Sequence, residues 1–182
     1  MIVSSTLFVL GGARSGKSAF AQTEVEGAGL EPVFVATAHA YDDEMAARIA
    51  RHVAARDARW RTCEAPYDLA ATLATEAAPS RLLLVDCLTL WLSNLLLRGD
   101  DLEAATAHLV DRIVSLAGPA VFVSNEVGAG IVPDNALARG FRDAQGRLNQ
   151  AVATACDSVV LVTAGVATLL KPAPRPRFAF RS

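Results

Sequence analysis

The segment Gly11-Gly12-Ala13-Arg14-Ser15-Gly16-Lys17-Ser18 constrains this chain more than any other stretch. It fits the phosphate-binding pattern G-x-x-x-x-G-K-[ST] at each fixed position. The apolar run 6–10 before it reads as a buried strand, and the residues from Ser18 onward read as the first turns of a helix. In that context the glycines let the backbone curl so that its N–H groups face phosphate oxygens, and the helix N-terminus adds favourable partial charge. Lys17 is the only lysine before Lys171, in a chain whose lysines and arginines number 17. One lysine held at this position points to a task there, reaching the β- and γ-phosphates of a nucleotide, with the Ser18 hydroxyl available to Mg²⁺. A glycine turn that matches by chance is the competing reading, and the flanking strand and helix argue against it.

Length and composition set the frame for that loop. A chain of 182 residues with 52% hydrophobic residues can bury a core as one α/β domain and is not generally disordered. A net charge of −2 gives no electrostatic footprint for nucleic acid. No apolar run approaches a membrane span, and Met1-Ile2-Val3-Ser4-Ser5 lacks the basic start of a signal peptide. Cys63, Cys87 and Cys156 are odd in number, with no C-x-x-C spacing, which fits reduced thiols in the cytoplasm and no structural zinc.

Strand-like and helix-like runs alternate, the pattern of a mainly parallel sheet covered by helices. Strands are expected over 32–37, 81–86, 120–124 and 158–163. Helices are expected over 42–56, 66–77, 88–97, 101–117 and 135–156, the last weakened by Gly140 and Gly146. From about residue 165 the proline-containing end reads as a loose tail, and no linker divides the chain.

Asp86 ends an apolar strand, which is the form of a carboxylate that holds Mg²⁺ beside a phosphate loop. Parallel strands put their carboxyl ends on one edge, so Asp86 and the loop after residue 10 can meet. In the 42–56 helix, Met45, Ile49 and Val53 form one stripe, while Arg48, His52 and Arg56 form another, offset by roughly 60°. Two flanking arginines favour a neutral imidazole at His52, able to attack phosphorus. On spacing alone, an ordinary surface histidine on a basic face remains the simpler reading. Asn125 and Glu126 follow a strand and lead into a glycine-rich loop, which suits either a substrate-facing site or a solvated connection. Arg139, Arg142, Asp143, Arg147 and Asn149 make the following helix polar, as a solvated face or a subunit contact would be.

Further signatures occur in order: Ala36-Thr37; Asp42-Asp43-Glu44-Met45-Ala46-Ala47-Arg48-Ile49 with His52; Trp60-Arg61-Thr62 with Glu64; Asp86-Cys87-Leu88-Thr89 with Asn94-Leu95-Leu96. Ser124-Asn125-Glu126-Val127-Gly128 with Gly130-Ile131-Val132-Pro133, Phe141-Arg142-Asp143 and Gly146-Arg147-Leu148-Asn149-Gln150 complete the set. Together they resemble the bifunctional adenosylcobinamide kinase / adenosylcobinamide-phosphate guanylyltransferase family. The resemblance implies a recombinase-like P-loop fold, phosphorylation of adenosylcobinamide by ATP or GTP, and transfer of GMP from GTP to adenosylcobinamide phosphate through a histidine–GMP intermediate. His52 is the matching histidine, which reverses the spacing-only reading. Nucleotide contacts carry over to Gly11 through Ser18 (Gly11, Gly12, Ala13, Arg14, Ser15, Gly16, Lys17, Ser18), to Ala36, Thr37 and Ala38, to Val53, Ala54, Ala55 and Arg56, and to Glu64 and Asp86. Ser18 and Asp86 would hold Mg²⁺. The resemblance also implies a homotrimer. A different small-metabolite P-loop kinase, or a recombinase-like ATPase module, are the alternatives.

Overall fold

The computed structural model describes residues 4–39 and 57–173. Their elements alternate as the hydrophobic pattern requires. The strands are β1 (Thr6–Gly11), β2 (Glu31–Ala36), β3 (Arg61–Glu64), β4 (Arg81–Asp86), β5 (Ala120–Asn125), β6 (Ser158–Thr163) and β7 (Val166–Lys171). The helices described are α1 (Lys17–Gly27), α2 (Leu69–Glu76), α3 (Leu88–Arg98), α4 (Leu102–Val114) and α5 (Ala136–Ala155). The strands form one seven-stranded sheet in the order β3-β2-β4-β5-β1-β6-β7. Every pairing is parallel except β6 with β7.

Period-two alternation sorts the strand side chains between two cores. Phe8, Val33, Val35, Leu83, Val85 and Phe122 point to one face, where α2 to α5 cover them with Leu73, Trp91, Leu92, Leu109 and Leu148. Val9, Phe34, Leu82, Leu84, Val121, Val123 and Val160 point to the other, where α1 contributes Ala21 and Val25. Each fully buried leucine, valine or phenylalanine contributes about 1.5–3 kcal/mol. The central strands are therefore fixed, and their carboxyl ends form a firm edge.

Several expected boundaries shift for identifiable reasons. The helix expected over 66–77 starts only at Leu69, because the Pro66 and Tyr67 carbonyls accept hydrogen bonds from Asn94 Nδ2 (3.0 Å) and Trp91 Nε1 (2.8 Å). The helix expected to 117 ends at Val114, where the Ser115 hydroxyl donates back to the Asp111 carbonyl at 2.9 Å. Gly140 and Gly146 do not interrupt α5, which starts at an Asn135 cap whose side chain accepts from the Ala138 amide. Where a loose tail was expected to begin, β7 pairs with β6 through a tight turn at Ala164 and Gly165, both with positive φ. The helix expected over 42–56, with His52, Val53, Ala54, Ala55 and Arg56, lies outside the described residues, as does 174–182.

Candidate active site

The phosphate loop joins β1 to α1 at the carboxyl edge of the sheet. Gly16 has φ 95°, a left-handed conformation that suits glycine, and a Cβ there would come within 3.1 Å of the Gly165 backbone. A Cβ on Gly11 would collide with Ser15 Oγ at 2.3 Å and the Val162 carbonyl at 2.6 Å. The loop is also held from both sides: the Gly165 amide donates to the Ser15 carbonyl (2.8 Å), and the Glu126 amide donates to the Gly11 carbonyl (3.1 Å). Helix α1 has no side-chain cap and no acidic residue in its first turn. Its leading N–H groups and the positive end of its dipole therefore remain for an anion. Lys17 is buried, and its ammonium donates to the Gly12 carbonyl at 3.1 Å, folding over the loop. Ser15 Oγ is buried with no hydrogen-bond partner among the described residues.

Strand register brings the other expected residues to the same edge. Ala36 pairs with Asp86 on one side and with Glu64 on the other. Asp86 pairs with Val123 of β5, and two residues further on Asn125 pairs with Gly11 of β1. Asp86 is thus two strand places from the phosphate-loop strand, roughly 10 Å, while exposed Glu64 on the edge strand is four places away, roughly 19 Å. The Cys87 thiol senses the inner part of this edge. Burial pushes it up to about 11, Asp86 pushes the same way, and Lys17 opposes. Lys17 and Asp86 therefore both lie within electrostatic reach of Cys87, whose neutral thiol is not a nucleophile. Cys156 is likewise pushed up by burial, to about 12.

Thr37 and Asn94 brace the loops that carry these groups. The fully buried Thr37 hydroxyl binds both backbone groups of Cys87, the residue after Asp86. Asn94, on α3, donates through Nδ2 to the Thr37 carbonyl (2.8 Å) and the Pro66 carbonyl. One side chain thereby ties the exits of β2 and β3 together. Ala38 is half-buried one residue beyond Thr37.

Among the described residues no cluster of three or more His, Cys, Asp or Glu side chains could cage a metal. Mg²⁺ does not require such a cage, since it is commonly held by one or two side-chain oxygens together with substrate phosphates. Half-buried Ser18 and Asp86, flanking the loop on the same edge, have the donor chemistry for that mode.

Residues 7–170 match the family described as cobinamide kinase / cobinamide phosphate guanyltransferase. The chain belongs to that family. Membership makes it a bifunctional cobinamide kinase and cobinamide phosphate guanylyltransferase, a user of nucleotide substrates. This family member is 48% identical to the bifunctional adenosylcobalamin biosynthesis protein CobP of Pseudomonas aeruginosa, over 91% of this chain and 97% of that protein. It is 42% identical to the corresponding CobU protein of Salmonella typhimurium, over 91% of this chain and 99% of that one. In fold it is similar to an ATPase of a bacterial type III secretion system, with a TM-score of 0.53 at 13% identity, covering 87% of this chain and 51% of that one. It resembles equally, at 0.53 and 13% identity, a Pyrococcus horikoshii protein, covering 91% and 85%. These likenesses concern the fold alone, a mainly parallel α/β sheet covered by helices. Among its described residues, no helix is long and apolar enough to cross a membrane.

The structure gathers Gly11 through Ser18, Ala36, Thr37, Ala38, Asp86 and, more distantly, Glu64 along one edge. Gly165 and Gln145 had no signal in the sequence of this family member. Asn94, Thr89, Ser124 and Asn149 stood within its signatures without an assigned role, and contact geometry shows what each one holds.

Proposed function

We propose that the chain first phosphorylates the terminal hydroxyl of adenosylcobinamide's aminopropanol arm, using ATP or GTP. It then moves GMP from GTP to adenosylcobinamide phosphate by way of a phosphoramidate on His52, releasing pyrophosphate and giving adenosylcobinamide-GDP. The observation that carries this reading is the family match over 7–170 combined with a phosphate loop whose lysine, helix end and neighbouring carboxylate share one edge.

In this reading the loop amides and Lys17 bind and orient the triphosphate, and the α1 N-terminus balances its charge. Ser18 and Asp86 would hold Mg²⁺, which when bound neutralises phosphate charge. For guanylyl transfer, neutral His52 attacks the α-phosphorus of GTP and pyrophosphate leaves. The phosphate oxygen of adenosylcobinamide phosphate then displaces the histidine. For the kinase step, the substrate hydroxyl attacks the γ-phosphorus instead. Glu126, exposed just beyond β5, is proposed as the base that receives the hydroxyl proton. Glu64, at the far end of the edge, suits contact with the base of a nucleotide whose phosphates lie in the loop. Val53, Ala54, Ala55 and Arg56 are carried over as further nucleotide contacts, and the active form as a homotrimer in the cytoplasm.

The test incubates pure protein with adenosylcobinamide, ATP, GTP and Mg²⁺ and follows both corrinoid products. Adenosylcobinamide-GDP is expected, with the phosphate as its precursor. Phosphate alone would restrict the chain to the kinase step, and no corrinoid product would overturn the reading.

A further inference from the structure

Among the described residues, the tip of β5 lacks a strand neighbour on one side. Pairing with β4 stops at Asp86 and Val123, because Cys87 leaves the sheet for α3, whereas pairing with β1 continues to Gly11 and Asn125. Side chains replace the missing strand. The Asn125 amide donates to Thr89 Oγ1 at 2.8 Å, and the Asn125 carbonyl accepts from Asn149 Nδ2 at 3.0 Å. The Asn149 amide is itself oriented, since its Oδ1 accepts from Ser124 Oγ at 2.8 Å and from Gln145 Nε2 at 2.9 Å. Gln145 also donates to Ser124 Oγ at 3.0 Å. On the β1 side, the Glu126 amide holds the Gly11 carbonyl, and the Glu126 carboxylate accepts from the Gly128 amide at 2.7 Å.

This cluster is expensive for a region that only needs to pack. Ser124 and Gln145 are 0% exposed, Asn149 5% and Thr89 8%, yet α5 packs with apolar side chains one turn away at Ala144, Leu148 and Val152. Asn125 Oδ1 and Gln145 Oε1 are buried with no hydrogen-bond partner among the described residues. An unmet buried polar group costs stability that an aliphatic replacement would keep. The polar groups all converge on the strand tip that abuts the phosphate loop.

We infer that Thr89, Gln145 and Asn149 are positioning residues for the kinase step, holding the tip Asn125–Glu126 against the phosphate loop so that Glu126 meets the substrate hydroxyl. The inference rests on the function proposed above. In that step the substrate oxygen bonds to the γ-phosphorus, and the bond from that phosphorus to the nucleoside diphosphate breaks, its electron pair leaving on the diphosphate. The hydroxyl proton passes to the Glu126 carboxylate. Attack of His52 on GTP involves no substrate hydroxyl and so does not use the Glu126 carboxylate.

The test compares Thr89→Val, Thr89→Ser and Asn149→Ala with the unsubstituted protein. It reads kinase kcat and nucleotide KM with ATP and adenosylcobinamide, covalent label from α-labelled GTP without corrinoid, and thermal melting. Thr89→Val and Asn149→Ala should lower kinase kcat roughly ten- to hundredfold, as a misplacement near 1 Å does. Nucleotide KM and covalent labelling should be little changed, and Thr89→Ser should restore kcat. Asn149→Ala carries the test if Thr89→Val fails to fold. Equal loss of labelling and kinase turnover, failure of Thr89→Ser to restore, or undiminished kcat in both variants would overturn the positioning role. Absence of kinase turnover in the unsubstituted protein would instead overturn the function on which it rests.

Discussion

The Thr37 hydroxyl donates to the Cys87 carbonyl at 2.7 Å and accepts from the Cys87 amide at 2.8 Å. One buried side chain thus satisfies both backbone groups of the residue that follows Asp86, and it locks the exit of β2 to the exit of β4. Asp86, on the edge beside the phosphate loop, is thus followed by a residue held from Thr37, 50 places earlier in sequence.

Thr37→Val keeps the shape and removes both bonds. It should destabilise the fold by about 1–3 kcal/mol through the unmet Cys87 groups. Turnover should also need more Mg²⁺, because the backbone just after Asp86 loses its anchor. Urea unfolding and a Mg²⁺ titration of activity read the two effects. A stability loss with an unchanged Mg²⁺ requirement would separate Asp86 from the metal.

Among the described residues Lys17 bonds only to its own loop, so Lys17→Ala should leave the melting temperature nearly unchanged while removing a charge-assisted contact to phosphate worth about 1.5–3 kcal/mol. Binding of ATP and of GTP should weaken roughly ten- to hundredfold, and both reactions should fail together. Lys17→Arg should not rescue, since a planar guanidinium does not fit where a compact ammonium folds over the loop. Calorimetric binding of each nucleotide checks this, and selective loss of one reaction would contradict it.

His52→Ala addresses the proposed division of labour. The variant should retain no label from α-labelled GTP after denaturation and make no adenosylcobinamide-GDP, while keeping most kinase activity. Equal loss of both activities in a folded variant would mean that His52 serves binding, or the fold, and not a covalent step.

The sequence made the centre of the molecule legible and left its edges obscure. β1, β4, β5 and β6 are apolar runs buried on both faces, and the glycine pattern at 11–18 announces the loop between β1 and α1. β3 escaped because Arg61-Thr62-Cys63-Glu64 is short and polar, as an edge strand can be. β7 escaped because Val166 through Leu170 are exposed and are followed by prolines. Asp86 stood out because it ends an apolar run. Asn94, Thr89 and Asn149 stood in the signatures without a readable role, since their partners lie 57, 36 and 24 positions away and no local spacing encodes them. For Glu64 the register adds its place on the edge, far from the loop, which a linear motif cannot give.

Asp157 fastens the opposite end of β1 and supplies a prediction about acid. Burial pushes its carboxyl up, but the Thr6 and Ser5 amides and the Thr6 hydroxyl outweigh that, and Lys171 adds to the pull, so it lies below the ordinary carboxylate range. A folded pKa below the unfolded value means that the ionised form stabilises the fold fully above about pH 4, the unfolded value, and that the contribution disappears as the pH falls through the folded one. Asp157→Asn should therefore melt at a lower temperature than the unsubstituted protein near neutral pH. The gap should close as the medium is acidified below the carboxylate range. Melting curves across that interval decide the matter: a gap that stays constant into strong acid would show that the substitution acts through packing and not through the charge that Thr6 and Ser5 hold.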